Sequence, residues 1–323
     1  GEEVVRVVYN RGLTMQNYVP RDENGKSPFG MMVVRPKIVG WSQKSLEEEV
    51  VSLTKAEKDE AIYVVNYNIE GSQYAVTGHL GLLHKLEEKL LKRQNELGAK
   101  KPACIWVEGV DVPFHSPLLE GGVDAFRKTI EATIGHVDPE LLIDRYIPNL
   151  NAVPFSLEKE YVQAIYEQTK SSVLEKVLED WSVYDHQAEL LARLILIELL
   201  AYQFASPVRW INTQKAFLTH ERLAVDKVIE FGPSPVLSNM MKATLMREKV
   251  AVLPQIYQFD ADREKVFYNK PAFVIEAEAE EEVAVEVSEL AQSNEAPQAA
   301  IAAPVQAVSN VSVPDDKPFG PSV

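Results

Sequence analysis

The chain contains Ile62-Tyr-Val-Val-Asn66 and Gln73-Tyr-Ala-Val-Thr77, two runs rich in β-branched and aromatic residues. Such runs favour extended backbone, and the short segment between them includes Gly71, which suits a turn. They therefore predict two strands joined by a tight connection. We expect this pair to be antiparallel, because parallel strands need a longer crossover.

Strands and helices alternate on both sides of this pair. Met31–Val34 and Cys104–Val112 predict a first and a last strand. Ser45–Leu53 predicts a capped helix, and leucines at helical spacing predict another over residues 80–97. The order β-α-β-β-α-β is that of a ferredoxin-like unit. We expect residues 29–112 to form a four-stranded antiparallel sheet with both helices on one face.

Residues 113–270 have a different pattern, typical of a larger α/β core. The run Ala188–Phe204 is apolar almost all round, which predicts a buried helix, and Ser206-Pro207 is expected to cap the next one. Val228–Phe231 then enters Gly232-Pro-Ser-Pro235, a strand-to-helix turn of the kind found in parallel sheets. This turn lacks a Walker lysine and a G-x-G-x-x-G pattern, so a plain turn is favoured over a phosphate cradle.

The net charge of −15 is concentrated at the C-terminal end. Residues 271–323 contain ten acidic residues and one lysine, a contribution of −9, which leaves −6 for residues 1–270. The tail is otherwise rich in small and polar residues and cannot bury enough apolar surface to offset chain entropy. We expect a flexible linker there. No basic patch is present, which argues against nucleic-acid binding.

The sequence also indicates the compartment. No apolar run approaches the roughly 20 residues that a membrane span needs, so no membrane partner is expected. The single cysteine, Cys104, excludes a disulfide framework and favours a reducing, cytoplasmic location. Because Cys104 lies in an apolar run, we expect a buried structural thiol rather than a nucleophile.

One histidine stands out by its position. His115 follows a predicted strand end and precedes Ser116-Pro117, a pairing expected at a helix N-cap and its first turn. The positive end of that helix would hold the imidazole neutral, as a general base requires. The alternative is a surface histidine bonded to water, since loop histidines are common and few are catalytic.

A histidine base needs a nucleophile, and the sequence has no G-x-S-x-G elbow. The nearest approach, Gly232-Pro-Ser-Pro-Val236, fails at its fifth position. None of the six histidines has metal-ligand spacing beside a carboxylate or a cysteine, so no metal site is predicted. A second candidate is Arg11, either as a solvent-facing residue with a salt-bridge partner or as a bidentate carboxylate ligand.

Five motifs occur in order along the chain and carry a family resemblance. They are Arg11-Gly-Leu-Thr-Met-Gln16, Asn66-Tyr-Asn-Ile-Glu-Gly-Ser-Gln-Tyr-Ala-Val-Thr-Gly78, Val112-Pro-Phe-His-Ser116, Gln203-Phe-Ala-Ser-Pro-Val-Arg-Trp210 and Glu230-Phe-Gly-Pro-Ser-Pro-Val236. Together they resemble the malonyl/palmitoyl transferase domain of type I fatty acid synthases of the fungal and actinobacterial sort. The similarity covers residues 1–260.

The resemblance implies roles for eight residues. His115 corresponds to the base and acid of acyl exchange, and Gln203 to the residue whose backbone carbonyl orients the imidazole. Arg11 corresponds to the arginine that pairs with the free carboxylate of malonate. The remaining candidates for substrate binding are Met15, Gln16, Asn66, Asn68 and Gln73.

The resemblance also implies a fold and a domain order. We expect the C-terminal part of a hydrolase-like α/β acyltransferase core, formed by residues 1–28 and 113–270. The ferredoxin-like subdomain, residues 29–112, is inserted into it. Residues 271–323 are then the linker toward an acyl carrier domain.

In this family an elbow serine takes the acyl group from a CoA thioester and passes it to phosphopantetheine on the carrier. That serine is expected roughly 25 residues before Arg11, and so upstream of Gly1. No tightly bound cofactor is implied. The implied function is malonyl loading in fatty acid biosynthesis, with palmitoyl release as a second activity. The implied partners are the acyl carrier domain and the rest of a homo-oligomeric synthase.

Two other functions remain open from the residues alone. A non-catalytic docking segment of a multienzyme is favoured by the missing nucleophile and disfavoured by the presence of both His115 and Arg11. A serine hydrolase that releases acyl groups to water is disfavoured by Arg11, because a pocket for neutral acyl chains has no use for a buried cation.

Overall fold

The computed structural model describes residues 2–220, 223, 225–247 and 253–267. The linker expected over residues 271–323 lies outside the described residues. The α-helices found in the described part are α1 (Glu2–Tyr18), α2 (Gln43–Ala56), α3 (Leu80–Glu96), α4 (Val123–Thr133), α5 (Lys159–Thr169), α6 (Ser172–Glu179), α7 (Trp181–Tyr184), α8 (Ala188–Gln203), α9 (Trp210–Thr219), α10 (Val236–Leu245) and α11 (Arg263–Phe267).

The first four strands form one antiparallel sheet. They are β1 (Phe29–Val34), β2 (Ile62–Ile69), β3 (Gln73–His79) and β4 (Cys104–Trp106). Their spatial order is β2-β3-β1-β4, and every neighbouring pair is antiparallel. The turn between β2 and β3 contains Gly71 with a φ of 63°. The element order and the antiparallel pairing predicted for residues 29–112 are therefore observed.

The fourth strand is shorter than predicted and ends at Trp106 instead of Val112. The Val107 amide makes the last bond to the sheet, to the Met31 carbonyl at 3.0 Å. Gly109 then adopts a φ of 76°, in the left-handed region that favours glycine. The chain leaves the sheet here and continues to His115.

Helices α2 and α3 contact each other and share one buried core with the sheet. Leu83, Leu86 and Leu90 of α3 are fully buried in it, whereas Leu91 is 41% exposed. Leu97 lies beyond the helix end and is 56% exposed. The cap of α2 is also earlier than predicted. Ser42, not Ser45, stands at the N-cap, and its hydroxyl accepts the Ser45 amide at 3.0 Å.

The second part of the chain packs around α8, which is apolar on most sides as predicted. Leu191 and Ile195 are buried among residues of α5 and α6, and Ala201 is buried with residues of α1 and α4. The next helix, α9, begins only at Trp210 and has no side-chain cap. The cap predicted at Ser206-Pro207 was therefore wrong.

A separate two-stranded sheet completes the described part. Strands β5 (Lys227–Glu230) and β6 (Gln255–Gln258) pair in parallel, and α10 contacts both. The Glu230 carboxylate accepts the amides of Leu237 and Ser238, each at 2.8 Å. The first turn of α10 already holds an anion of its own, so the Gly232-Pro-Ser-Pro235 segment is a plain turn and not a phosphate cradle.

A buried ion pair connects the helices around α8. Glu198 of α8 is fully buried and accepts Arg127 of α4 through both oxygens, at 2.7 and 3.1 Å. Ser171, which caps α6, donates its hydroxyl to the same carboxylate at 2.7 Å. One carboxylate thus links α4, α6 and α8.

We expect Arg127→Met to lower the free energy of unfolding by about 3–5 kcal/mol, because Glu198 is then left buried without its charge partner. The double variant Arg127→Met/Glu198→Leu should cost less, since it removes the buried charge as well. Denaturation in urea, followed by circular dichroism, measures both.

The matched control is Arg6→Met, which breaks an exposed ion pair with Glu2. It should cost less than about 1 kcal/mol. A double variant that is less stable than Arg127→Met alone would contradict this explanation of the ion pair.

Candidate active site

His115 lies in a turn whose backbone is held by hydrogen bonds on both sides. Its φ is 62°, in the left-handed region that few residues other than glycine adopt. Ser116 is fully buried and donates its hydroxyl to the Pro113 carbonyl at 2.6 Å. The Phe114 amide donates to the Val112 carbonyl at 2.8 Å. These bonds stabilise a conformation that costs about 1–3 kcal/mol by itself.

The helix after His115 starts at the predicted position, but its first turns are 3₁₀. Ser116 stands at the N-cap of a 3₁₀ helix, Pro117–Gly122, and α4 begins only at Val123. The Ser116 hydroxyl makes no cap bond and instead donates to the Pro113 carbonyl. Its role is to shape the turn that carries His115.

The imidazole of His115 is held by the C-terminal end of α8. Its Nδ1 lies 3.0 Å from the backbone carbonyl of Gln203. A carbonyl only accepts, so Nδ1 carries the proton and Nε2 is the bare nitrogen of the neutral ring. Gln203 is the last residue of α8, where helix carbonyls lack intrahelical donors. The fold therefore brings together these two predicted residues, which are 88 positions apart.

The side chain of Gln203 stabilises the same corner of the site. Its Nε2 donates to the Ser206 carbonyl at 2.8 Å, across the turn that follows α8. The same nitrogen lies 3.4 Å from Nδ1 of His115, but two donors do not bond to each other. The backbone carbonyl, not the side chain, is thus the partner of the imidazole.

His115 is kept neutral by its surroundings. Burial, and after it the positive charge of Arg11, lowers the pKa of His115 from 6.5 to about 4, against the opposing effect of the Gln203 and Ser206 carbonyls. The ring is therefore uncharged at neutral pH. Because the folded-state pKa lies below the unfolded value, this histidine destabilises the fold as the pH falls from 6.5 toward 4.

Arg11 is a partly buried cation on α1. Within the described residues its guanidinium makes no hydrogen bond and no ion pair, and burial lowers the pKa of Arg11. The solvent-facing arginine with a salt-bridge partner is therefore not what the structure contains. A partly desolvated guanidinium without a counter-charge favours an anion beside it.

The other candidates on α1 differ in exposure. Met15 is 1% exposed and packs in the core together with Phe126 and Phe204. Gln16, the next residue, is exposed to solvent. Met15 therefore lies under the site as packing, and only Gln16 presents a polar group at the surface.

The three polar candidates on β2 and β3 have different neighbours in the fold. Asn66 stands beside Val208, in the segment that follows Gln203, and the neighbouring Tyr67 amide donates to the Val208 carbonyl at 3.0 Å. The Asn68 carbonyl accepts the Gln214 side chain of α9 at 2.9 Å. Gln73 is the first residue of β3, paired with Ile69. Of the three, Asn66 is the one next to the His115–Gln203 corner in the fold.

One ion pair that sequence reasoning missed connects the two segments that carry Arg11 and His115. Arg21 follows α1, and Asp111 precedes His115 by four residues. The two Nη atoms of Arg21 lie 2.5 and 3.1 Å from the Asp111 carboxylate. The partners are 90 positions apart, so no local pattern indicates the pair.

The site contains no feature of a metal centre in the part that the structure describes: no group of three His, Cys, Asp or Glu side chains there could hold an ion. Cys104 is buried, and burial raises the pKa of its thiol to about 11. It is therefore a structural thiol, as predicted. No described helix is both long and apolar enough to cross a membrane.

Sequence comparison relates the chain to fatty acid synthases. It is 36% identical to fatty acid synthase 2 of Mycosarcoma maydis over 278 residues, which cover 75% of this chain and 7% of that protein. It is 33% identical to fatty acid synthase subunit beta of Saccharomyces cerevisiae over 226 residues, which cover 57% of this chain and 11% of that protein. The chain thus spans about a tenth of these relatives. No protein-family model matches it.

Structural comparison gives the fold. FabD from Acinetobacter baumannii superposes with a TM-score of 0.55 at 20% identity, over 83% of this chain and 64% of that one. A malonyl-transacylase solved in complex with a type II polyketide acyl-carrier protein gives 0.53 at 18% identity, over 82% and 65%. The fold is that of the malonyl-CoA:acyl carrier protein transacylases. With the sequence relatives, this confirms the resemblance to the acyltransferase domain of a type I fatty acid synthase.

Proposed function

We propose that this chain is the histidine-bearing part of an acyltransferase that moves acyl groups between CoA and an acyl carrier protein in fatty acid biosynthesis. One observation carries the proposal. The Nδ1 proton of His115 is donated to the Gln203 carbonyl, which leaves a neutral Nε2 free to take a proton. A general base needs both of these features.

The proposed nucleophile is a serine from a segment outside these residues. Nε2 of His115 takes the hydroxyl proton while the serine oxygen attacks the thioester carbon. The carbon–sulfur bond breaks, the CoA sulfur receives the proton from the imidazolium, and an acyl-serine remains. In the second half the phosphopantetheine thiol of the carrier gives its proton to Nε2 and attacks the carbon of the acyl-serine. The bond to the serine oxygen breaks, and that oxygen receives the proton from the imidazolium. During each half the Gln203 carbonyl stabilises the transient imidazolium.

Arg11 is proposed to select malonyl groups. A malonyl thioester carries a carboxylate, which a closed apolar pocket would reject at a cost of several kcal/mol. A guanidinium that has no partner within the described residues can offset that cost through a bidentate, charge-assisted pair. The same cation would disfavour the imidazolium form of His115 until a substrate carboxylate neutralises it.

The remaining predicted features belong to the same proposal. We propose that residues 29–112 form a ferredoxin-like subdomain inserted into a hydrolase-like core. Asn66, Asn68 and Gln73 of that subdomain, with Gln16 of α1, are proposed to face the acyl and pantetheine chains. The substrates are CoA thioesters, the acceptor is an acyl carrier domain, and release of palmitoyl groups is the proposed second activity of an oligomeric synthase.

The test of the base is His115→Ala in the native assembly that supplies the serine. We expect transfer of malonyl from CoA to the carrier to fall about a thousandfold or more, judged by other nucleophile–base pairs. His84→Ala, an exposed histidine on α3, is the matched control and should leave transfer unchanged. Near-normal transfer by His115→Ala, with folding intact by circular dichroism, would refute the proposal. Acyl release to water in place of transfer would instead indicate a hydrolase.

The test of selectivity is Arg11→Ala, assayed in competition between malonyl-CoA and palmitoyl-CoA. The activation free energy that corresponds to kcat/KM for malonyl transfer should rise by roughly 2–4 kcal/mol, the usual cost of leaving a buried charge unpaired. The kcat/KM for palmitoyl transfer should hold or rise. Arg11→Lys should recover only part of the loss, because it lacks the planar fork. Arg6→Ala on the same helix is the control. A parallel fall of both activities would mean that Arg11 is structural.

A further inference from the structure

The sheet β2-β3-β1-β4 has two faces, and α2 and α3 cover only one of them. Met32 and Val34 of β1 are fully buried in the core that the sheet shares with these helices. Successive side chains of a strand point to opposite faces, so Met31 and Val33 point away from that core. Both are partly exposed, and neither belongs to a core cluster of the described residues. This open face of the sheet is therefore an apolar surface in contact with solvent.

Arg35 lies at one end of the open face. It directly follows β1, and its amide donates to the Ala103 carbonyl at 2.7 Å, just before the first residue of β4. The sheet pairing thus continues through Arg35. By the alternation along the strand, its side chain is on the same face as those of Met31 and Val33.

Gln73 stands next to Arg35 on the neighbouring strand. Val34 pairs with Tyr74 in the antiparallel register of β1 and β3, so the next step of the register sets Arg35 opposite Gln73. Opposite residues of an antiparallel pair share a face, with Cβ atoms about 4.5–5.5 Å apart. The Gln73 side chain is partly exposed and makes no hydrogen bond within the described residues. A guanidinium and a free carboxamide therefore lie side by side at this end of the open face.

The guanidinium of Arg35 is partly buried without a counter-charge. It makes no hydrogen bond and no ion pair in the part of the chain that the structure describes, a property that it shares there, among partly buried arginines, only with Arg11. Burial lowers the pKa of Arg35. A partly desolvated cation of this kind favours an anion beside it, and the planar fork of arginine matches the oxygens of a phosphate.

The register of the sheet gives the distance between Arg35 and the segment that follows α8. Val208 of that segment stands beside Asn66 of β2. Across the sheet, Asn66 pairs with Ala75, and Ala75 pairs with Val33. Arg35 lies two residues beyond Val33. The strand spacing and the rise per residue therefore separate Val208 from Arg35 by about 16 Å.

This separation agrees with the length of a pantetheine arm. The imidazole of His115 is held by the carbonyls of Gln203 and Ser206, close before Val208 in the same segment. Arg35 is thus on the order of 15–20 Å from the reacting thioester. In a pantetheine arm about thirteen bonds separate the sulfur from the phosphorus, an extended reach of roughly 15 Å at the rise of a polypeptide.

We propose that Arg35, with Gln73 beside it, binds the phosphate group that ends the pantetheine arm of the substrate. The arm crosses the open face from the thioester at His115 to the phosphate at Arg35. There the guanidinium donates to two phosphate oxygens, and the Gln73 carboxamide donates to the phosphate from the neighbouring strand. CoA and the acyl carrier both have this phosphate, so both substrates use the subsite. The inference rests on the proposed function, which places the other end of the substrate at His115.

The test compares donors with and without the phosphate in the native assembly that supplies the serine. Malonyl-CoA and malonyl-pantetheine are the donors, and pantetheine is the acceptor for both. Arg35→Gln should raise the KM for malonyl-CoA about tenfold or more, the range of one charge-assisted hydrogen bond, with kcat close to the wild-type value. Its KM for malonyl-pantetheine should equal that of the wild type.

Two further variants control this measurement. Arg35→Lys should raise the KM for malonyl-CoA by a smaller factor, because an ammonium also binds phosphate but lacks the planar fork. Lys37→Gln removes an exposed cation two residues away and should leave both KM values unchanged. If Arg35→Gln does not fold, Arg35→Lys takes its place, and only its KM for malonyl-CoA should rise.

The acceptor reaction separates the two sources of phosphate. With malonyl-pantetheine as the donor, Arg35→Gln should raise the KM for both CoA and phosphopantetheine, which has the phosphate of the carrier arm alone. A rise for CoA only would assign Arg35 to the nucleotide end of CoA and would overturn the inference.

The donor reaction can overturn the inference in two ways. An equal rise of KM for malonyl-CoA and malonyl-pantetheine would mean that Arg35 shapes the site without binding phosphate. No rise for either donor would mean that Arg35 does not contact the substrate. Transfer from malonyl-pantetheine by the wild type needs no phosphate and tests the proposed function itself, so the two proposals can fail separately.

Discussion

The bond between Nδ1 of His115 and the Gln203 carbonyl is the interaction on which the rest of the site depends. It fixes the tautomer, and so decides that the bare nitrogen is Nε2. It joins the turn that carries His115 to the C-terminal end of the buried helix α8. The contacts that position α8 therefore also position His115, and the Arg127–Glu198 ion pair is one of them. The apolar side chains of α8, which are visible in the sequence, bury this helix and so hold the Gln203 carbonyl in place.

Much of the fold could be predicted because it follows from local pattern. The β-branched runs gave the four strands, the leucine spacing gave α3, and the short turn at Gly71 indicated an antiparallel pair. The errors lie where a local pattern competes with tertiary contacts. The strand predicted to reach Val112 ends early because Gly109 bends the chain away. Ser116 stands at the predicted N-cap, but its hydroxyl donates to the Pro113 carbonyl instead of making a cap bond.

The candidate site was predictable in its members more than in its geometry. His115, Gln203 and Arg11 follow from motifs. The hydrogen bond between His115 and Gln203, however, joins residues 88 positions apart, which no local pattern shows. The Arg21–Asp111 pair was missed for the same reason, since neither residue belongs to a motif. Met15 and Gln16 were predicted together as substrate-binding residues from one motif, whereas the fold buries Met15 in the core and exposes Gln16. That the charge of Arg11 acts on the pKa of His115 emerges only from the fold.

The most direct test of this account is the protonation state of His115, read from two-bond proton–nitrogen correlations of the imidazole in nitrogen-15-labelled protein and assigned with the alanine variant. We expect a protonated Nδ1 and a bare Nε2 at pH 7, with a titration near pH 4. A proton on Nε2 at pH 7, or a titration near 6.5, would contradict it, because the imidazole would then either lack a bare Nε2 or be open to solvent.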